Sequence, residues 1–310
     1  MGSGSTESGP GTAAQQKLLK LTHKRLERFV TLVPKFLVND DPDTIHDLRV
    51  WSRRLQQTLR IVLSPAKPPG SRKAIRTLRR VRQALGACRN LDVNIELARQ
   101  RSREGQSPIL RQGWGALETH LQEGRESLLA STRKEVAKYN LVAFIERTRR
   151  LISQADLDAD PTPRMETAVA RALSEWDEAH ALAKESRSVD NLHAWRIATK
   201  RLRYRAELLA DSGSAASKPL VKDLKEIQAA LGDWHDRCVL LEFAAAFLAS
   251  RDFLVQHPDM GGALLADMEK ETARNDAAIV SVLTRATKAR KRWTGQQIQA
   301  DSRTAKSTDQ

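Results

Sequence analysis

Between Ile45 and Val62 the chain reads IHDLRVWSRRLQQTLRIV, and its apolar residues return every third or fourth position. At about 100° per residue, Leu48, Trp51, Leu55, Leu59 and Val62 fall on one stripe, as in a helix that buries one face. The same period governs nearly the whole chain, and alternating strand patterns are absent. Gly and Pro gather at Asn39–Pro42, Ser64–Gly70, Asp158–Pro163, Ser212–Pro219 and Pro258–Gly262. The pattern predicts an all-α protein. Its helices are expected near 17–38, 44–63, 71–102, 108–155 with a break, 163–187, 191–211, 218–255 with a break at Gly232, and 259–292.

A second stretch, Leu192–Leu209, reads LHAWRIATKRLRYRAELL and restates the first at an offset of 192 − 45 = 147. Arg76–Val93, RTLRRVRQALGACRNLDV, is echoed by Lys222–Val239, KDLKEIQAALGDWHDRCV, at an offset of 222 − 76 = 146. An internal duplication with one loop deletion accounts for both. It divides the chain into halves of 17–155 and 162–293, each with helices enough for a four-helix bundle. The Gly/Ser-rich stretch 1–16 is expected to be a disordered linker, and 294–310 a disordered polar tail.

At 310 residues and 34.7 kDa the chain is long enough to bury a sizeable core. It has no run of eighteen apolar residues, and MGSGSTESGPGTAAQQ lacks the basic and apolar regions of a signal peptide. A cytoplasmic location without a membrane span is therefore expected. Cys88 and Cys238 are the two cysteines, and both are expected to be reduced, small buried residues. The 52 Lys and Arg against 38 Asp and Glu give +14 and a pI near 10.1, which favours an anionic partner. Residues 46–103 hold fifteen of these cations against Asp47, Asp92 and Glu96, a local excess of 15 − 3 = +12.

The cations stand opposite the apolar stripes. His46, Arg49, Arg53, Gln57 and Arg60 occupy the outward face of the first repeated helix, and His193, Arg196, Lys200, Tyr204 and Glu207 that of the second. On the helix that follows, Ala74, Leu78, Val81 and Leu85 point inward, and Arg72, Arg76, Arg79, Arg80 and Gln83 outward. Its copy turns Leu220, Leu224, Ile227 and Leu231 inward and Lys218, Lys222, Lys225 and Glu226 outward. A cationic face usually only solvates a helix, helped by carboxylates one turn away. Here those carboxylates are nearly missing, so Arg76, Arg79, Arg80 and Arg82 repel one another by about 0.2–0.5 kcal/mol per pair, which an external anion would relieve. The guanidinium fork matches phosphate in particular. Asp43-Thr44 and Asp190-Asn191 read as helix starts, which places His46 and His193 in the first turn, where helix dipole and free N–H groups favour anions.

The residues His46-x-x-Arg49-x-x-x-Arg53-Arg54-Leu55, their counterpart Leu192-His193-x-x-Arg196-x-x-x-Lys200-Arg201-Leu202-Arg203-Tyr204, and the two Leu-Gly segments ending in Asn90/Asp92 and Asp236 resemble the CHAD family, named for a conserved histidine and an α-helical domain. The resemblance spans nearly all of 17–293. It implies two pseudo-symmetric four-helix bundles packed together around a basic groove or pore, and binding of inorganic polyphosphate. By motif position His46, Arg49, Arg53, His193, Arg196 and Lys200 would line the polyphosphate path, with Arg54 and Arg201 flanking it and Arg203 and Tyr204 completing the second motif. Arg76, Arg79, Arg80, Lys222 and Lys225 are added by the helical-face argument. The first half departs from the second, with Gln57 and Arg60 where the second has Tyr204 and Glu207.

Non-enzymatic binding is expected, targeting the protein to polyphosphate granules. The basic stripes carry neither metal-binding carboxylates nor an activated nucleophile, and there is no GxxxxGK[ST], HExxH or cysteine cluster. His235-Asp236-Arg237-Cys238 reads as a structural turn rather than a metal site. No cofactor is implied. Nucleic acid is the second candidate partner, since the same face would accept any phosphate backbone. Against base stacking, only Tyr204 and the histidines interleave the cations.

Overall fold

The computed structural model describes residues 13–308 except 65, 66, 156, 158 and 159, and the side chains of these residues except 251, 252 and 295–308. Among the described residues there is no strand. The helices are α1 (Ala13–Val38), α2 (Pro42–Val62), α3 (Ser71–Ala84), α4 (Gly86–Glu104), α5 (Pro108–Ala137) and α6 (Leu141–Ser153), then α7 (Thr162–Glu185), α8 (Val189–Asp211), a 3-10 turn (Ala215–Ser217), α9 (Lys218–Leu248), α10 (Arg251–Gln256) and α11 (Pro258–Thr308).

Two compact units form. The first holds the described chain up to Arg89, Arg125–Ala170 and Glu207–Ala216; the second holds Asn90–Gly124, Arg171–Ala206 and the chain from Ser217. These units and the repeat halves are different partitions, because each unit takes segments from both halves.

In the first unit α1 packs on α2, α2 on α3, α3 on α6, and α6 on α1, which closes a four-helix bundle. Leu18, Leu26, Phe29, Leu48, Leu55, Leu59, Leu78 and Val81 lie fully buried inside it. Phe29 meets Phe144 edge-on, with ring centroids 5.7 Å apart, and ties α1 to α6. Local signals fix the ends: Asp41 accepts from the Asp43 and Thr44 amides to cap α2, and the Asn140 side chain caps α6 through the Ala143 amide at 2.9 Å. Gly70, at φ 94°, takes the left-handed conformation just ahead of α3.

Tryptophans organise the second unit. Trp176 of α7 lies 6.1 Å from Trp195 of α8 and 5.3 Å from Trp293 of α11, centroid to centroid. Their polar edges are used as well: Trp176 Nε1 donates to Thr199 Oγ1 at 2.9 Å, and Trp293 Nε1 to Asp223 Oδ2 of α9 at 2.8 Å. Asn275 of α11 bonds the Trp234 carbonyl of α9 at 3.2 Å.

Three boundaries differ from expectation. The helix expected over 71–102 breaks at Leu85, and the break expected at Gly232 is missing, since α9 is continuous from Lys218 to Leu248. The two Leu-Gly pairs meet different surroundings. At the first, Arg49 Nη1 donates to the Arg82 carbonyl at 2.7 Å and stands 3.4 Å from where a Cβ on Gly86 would sit; around Gly232 a Cβ would meet nothing within 4 Å. The backbone from 294, expected as a tail, is helical to Thr308; beyond Gly295 the sequence has no Gly or Pro to stop it. Of the linker expected at 1–16, residues 1–12 lie outside the described residues and 13–16 begin α1, as 309–310 lie outside at the other end.

Gly232→Ala is expected to stabilise the protein by about 0.5–1 kcal/mol, because a helix-interior glycine with open space gains from a methyl group. Gly113→Ala should do the opposite, by about 1–3 kcal/mol, since its Cβ would fall 2.8 Å from Leu264 Cγ. Urea unfolding of the two variants checks both signs.

Candidate functional site

In the second unit α8 places His193, Arg196 and Lys200 at spacings of three and four residues, so they share one side of the helix. The His193 ring stands 5.7 Å from that of His235 on α9. His235 is half-buried, and its pKa is pushed down to about 4, first by burial, then by Arg196, His193 and Lys200. The charges that lower it are all cationic. Lys222 and Lys225 lie exposed earlier on α9.

The first unit contains a parallel arrangement. His46 is exposed on α2, and its pKa is lowered by partial desolvation and then by Arg89, with Arg49 adding and Asp47 and Asp43 opposing. The two pairs match by position: 193 − 46 = 147 and 235 − 89 = 146, the offsets of the two repeated stretches. Arg89 therefore stands where the second unit has His235. On α3 the row Arg72, Arg76, Arg79 and Arg80 is exposed, and among the described residues Arg72, Arg76 and Arg79 have no ion-pair or hydrogen-bond partner. Arg80 acts electrostatically on Glu135 and Tyr139.

The family model of the CHAD domain matches residues 20–245. The chain belongs to the CHAD family. Two solved structures share the fold: a CHAD domain from the plant Ricinus communis, at TM-score 0.66 and 19% identity over 88% of this chain and 92% of that one, and PptA from Streptomyces chartreusis, at TM-score 0.65 and 17% identity over 89% of this chain and 100% of that one. Among curated proteins none matches the chain in sequence.

Within this CHAD chain the residues expected at the site divide into three groups. His46 and Arg49 come together with Arg89, and His193, Arg196 and Lys200 with His235. Arg53 is half-buried on α2, and Arg76, Arg79, Arg80, Lys222 and Lys225 are exposed on α3 and α9. The third group is engaged elsewhere. Arg54 lies 5.0 Å over the Trp51 ring and 3.9 Å from Glu207, beside the buried Arg25, which pairs with Asp211 at 2.9 Å. Arg201 pairs with Glu175 of α7.

Tyr204 and Glu207 are corrected: they are 6% and 7% exposed, not outward. Tyr204, Ala206, Glu207, Leu208 and Leu209 are all buried, so burial here spreads beyond a single stripe of α8, and the Arg203 guanidinium covers the Tyr204 ring at 4.5 Å.

The histidines also sit later in their helices than expected. α2 begins at Pro42 and α8 at Val189, so His46 and His193 are each the fifth helical residue, in the second turn. In α2 Asp41 already accepts from the first-turn amides of Asp43 and Thr44, and in α8 the Asn191 amide donates to Ser188 Oγ at 3.3 Å. The charges acting on His46 and His235 come from side chains.

The scarcity of carboxylates is also local to α3. Arg99 pairs with Glu96 and with Glu118, each at 2.8 Å, and Arg101 with Asp267 at 3.3 Å and Glu271, acids far along the chain from it. His235-Asp236-Arg237-Cys238 is not a turn but part of α9, and Cys238 is only half-buried, accepting from Asn275 Nδ2 at 3.1 Å. Among the described residues no group of three or more His, Cys, Asp or Glu is placed to hold a metal ion. Sequence analysis missed His235 and Arg89 as site residues. The signal was there, because the repeat offset maps one onto the other and sets both against a motif histidine.

His46, His180 and His235 all have pKa values lowered chiefly by burial, so below the ordinary histidine value of about 6.5 the unfolded chain binds more protons than the folded one. Stability is therefore expected to fall as pH drops from about 6.5 toward 4. His235→Asn removes one contributor, and its melting temperature should fall less than the wild type's between about pH 7 and about pH 4.5. An equal fall would assign the acid sensitivity to other groups.

Proposed function

We propose that this CHAD protein binds inorganic polyphosphate without turning it over, and so associates with polyphosphate granules in the cytoplasm. The observation that carries the reading is the pair of basic clusters, His46/Arg49/Arg89 and His193/Arg196/Lys200/His235, together with the exposed arginine row on α3. Such clusters cost free energy in the unbound protein, and a dense polyanion relieves it. Polyphosphate carries charge on every repeating unit and offers no base edges, so cation density is what recognises it. Burial of Tyr204 weakens the nucleic-acid alternative, since it removes the aromatic platform on which a base would stack. Among the described residues no helix is long and apolar enough to cross a membrane.

Labelled polyphosphate should bind at physiological salt and resist competition by single-stranded DNA, RNA or heparin at equal phosphate. Equal displacement by nucleic acid would overturn the assignment. Arg76→Gln with Arg79→Gln, and separately Arg196→Gln with Lys200→Gln, should each weaken binding and flatten its salt dependence by on the order of 0.7 per lost phosphate contact, the slope known for single strands. Added magnesium should leave polyphosphate chain length unchanged on a gel; shortening would mean turnover.

A further inference from the structure

We propose that His235 is a proton-coupled polyphosphate contact, neutral in the free protein and protonated from solvent when phosphate binds, whereas Arg89 at the matching position of the first unit stays charged. The inference rests on the polyphosphate reading and adds a pH response to it.

The geometry points to His235 because its ring faces His193 at 5.7 Å, on the side of α8 that also carries Arg196 and Lys200. These are the charged groups that α8 presents to it, and each disfavours a proton. α11 also packs on α9, but it engages other residues. Its Asn275 bonds Trp234, Arg237 and Cys238, and the charge of Asp276 acts on Cys238. α10 packs on α9 as well, and its Phe253 meets Phe247 at 4.3 Å, near the C-terminal end of α9. On its own helix Asp233 and Asp236 flank it, yet burial and the α8 cations prevail and hold it neutral down to about pH 4.

Phosphate oxygens among Arg196, Lys200 and His193 reverse that balance. They offset the cations that repel the proton and give the imidazolium N–H an acceptor, so the pKa of His235 rises on binding. Uptake of one proton makes affinity fall as pH rises, by up to about tenfold per unit, between the free and the bound pKa. Below about 4 the free ring is already protonated, and the dependence ends. Arg89 contributes no such term because a guanidinium does not titrate in this range. His46 adds a share of its own, since its pKa is also held down in the free protein.

The test is calorimetric titration of polyphosphate into the full chain near pH 6, in two buffers of different ionisation enthalpy, which counts the protons taken up. His235→Asn and His235→Arg should each take up fewer protons than wild type, by up to about one, and His235→Arg should bind more tightly than wild type at pH 8. Arg89→His should take up more. Circular dichroism checks that each variant is folded, and the asparagine variant stands in if arginine is not accommodated. Equal proton uptake by wild type and both His235 variants, with binding intact, overturns the proton coupling and leaves polyphosphate binding standing. Failure of the wild type to bind polyphosphate at any pH between 5 and 8 overturns the underlying reading instead.

Discussion

Burial of a single apolar stripe on α2 decides where its charges go. Once Leu48, Leu55, Leu59 and Val62 are packed against the helices of the first unit, 3.6-residue periodicity leaves His46, Arg49 and Arg53 on the other side. α3 obeys the same constraint, with Ala74, Leu78 and Val81 inside and a row of arginines outside. Removing apolar surface from water, at about 25 cal/mol per Å², far outweighs the few tenths of a kcal/mol by which neighbouring arginines repel. The core thus holds together an arrangement of charge that would not assemble by itself.

Not every cation belongs to that arrangement. Arg25, Arg54, Arg99, Arg101, Arg201 and Arg290 are matched by carboxylates within their units and serve the fold; Arg290, for example, grips Asp177 with two bonds at 2.7 and 2.8 Å. Arg49 has a foot in both roles. One of its N–H groups closes the C-terminal end of α3 through the Arg82 carbonyl, which fixes the guanidinium beside His46 and Arg89. In the proposed site a cation pinned in this way would lose less side-chain entropy on meeting a phosphate than a free one, so one contact links the helix break at Leu85 to that site.

What depends on local pattern was legible in the sequence: the helical class, the buried stripes of α2 and α3, and the exposed arginine row follow from spacing alone. What depends on distant partners was not. The break at Leu85 needs Arg49, which no window around Leu-Gly contains, and the unbroken α9 shows that Leu-Gly by itself breaks nothing. Tyr204 and Glu207 fit an outward stripe by period, yet packing buries this end of α8 beyond its apolar stripe. Pairing of Arg101 with Asp267 and Glu271 joins residues more than 160 positions apart, so a count of neighbouring carboxylates missed it. Cap positions shifted for a smaller reason: Asp41, two residues before the aspartate expected to start α2, has the side chain that reaches the free amides.

The exchange of Arg89 for His235 separates two kinds of cation that look alike in a net-charge count. A guanidinium is charged whatever surrounds it, so a cluster built on Arg89 carries its repulsion at all times and is compensated only by the fold that holds it. An imidazole can shed its proton instead, so on the proposed reading the cluster around His235 relaxes without an anion and would regain its full charge with one. A cluster that sheds charge is less strained when free, and its affinity for the anion is correspondingly lower near neutral pH. On the proposed reading, the two repeated stretches supply clusters that share a motif histidine and arginine and differ in proton dependence through Arg89 and His235.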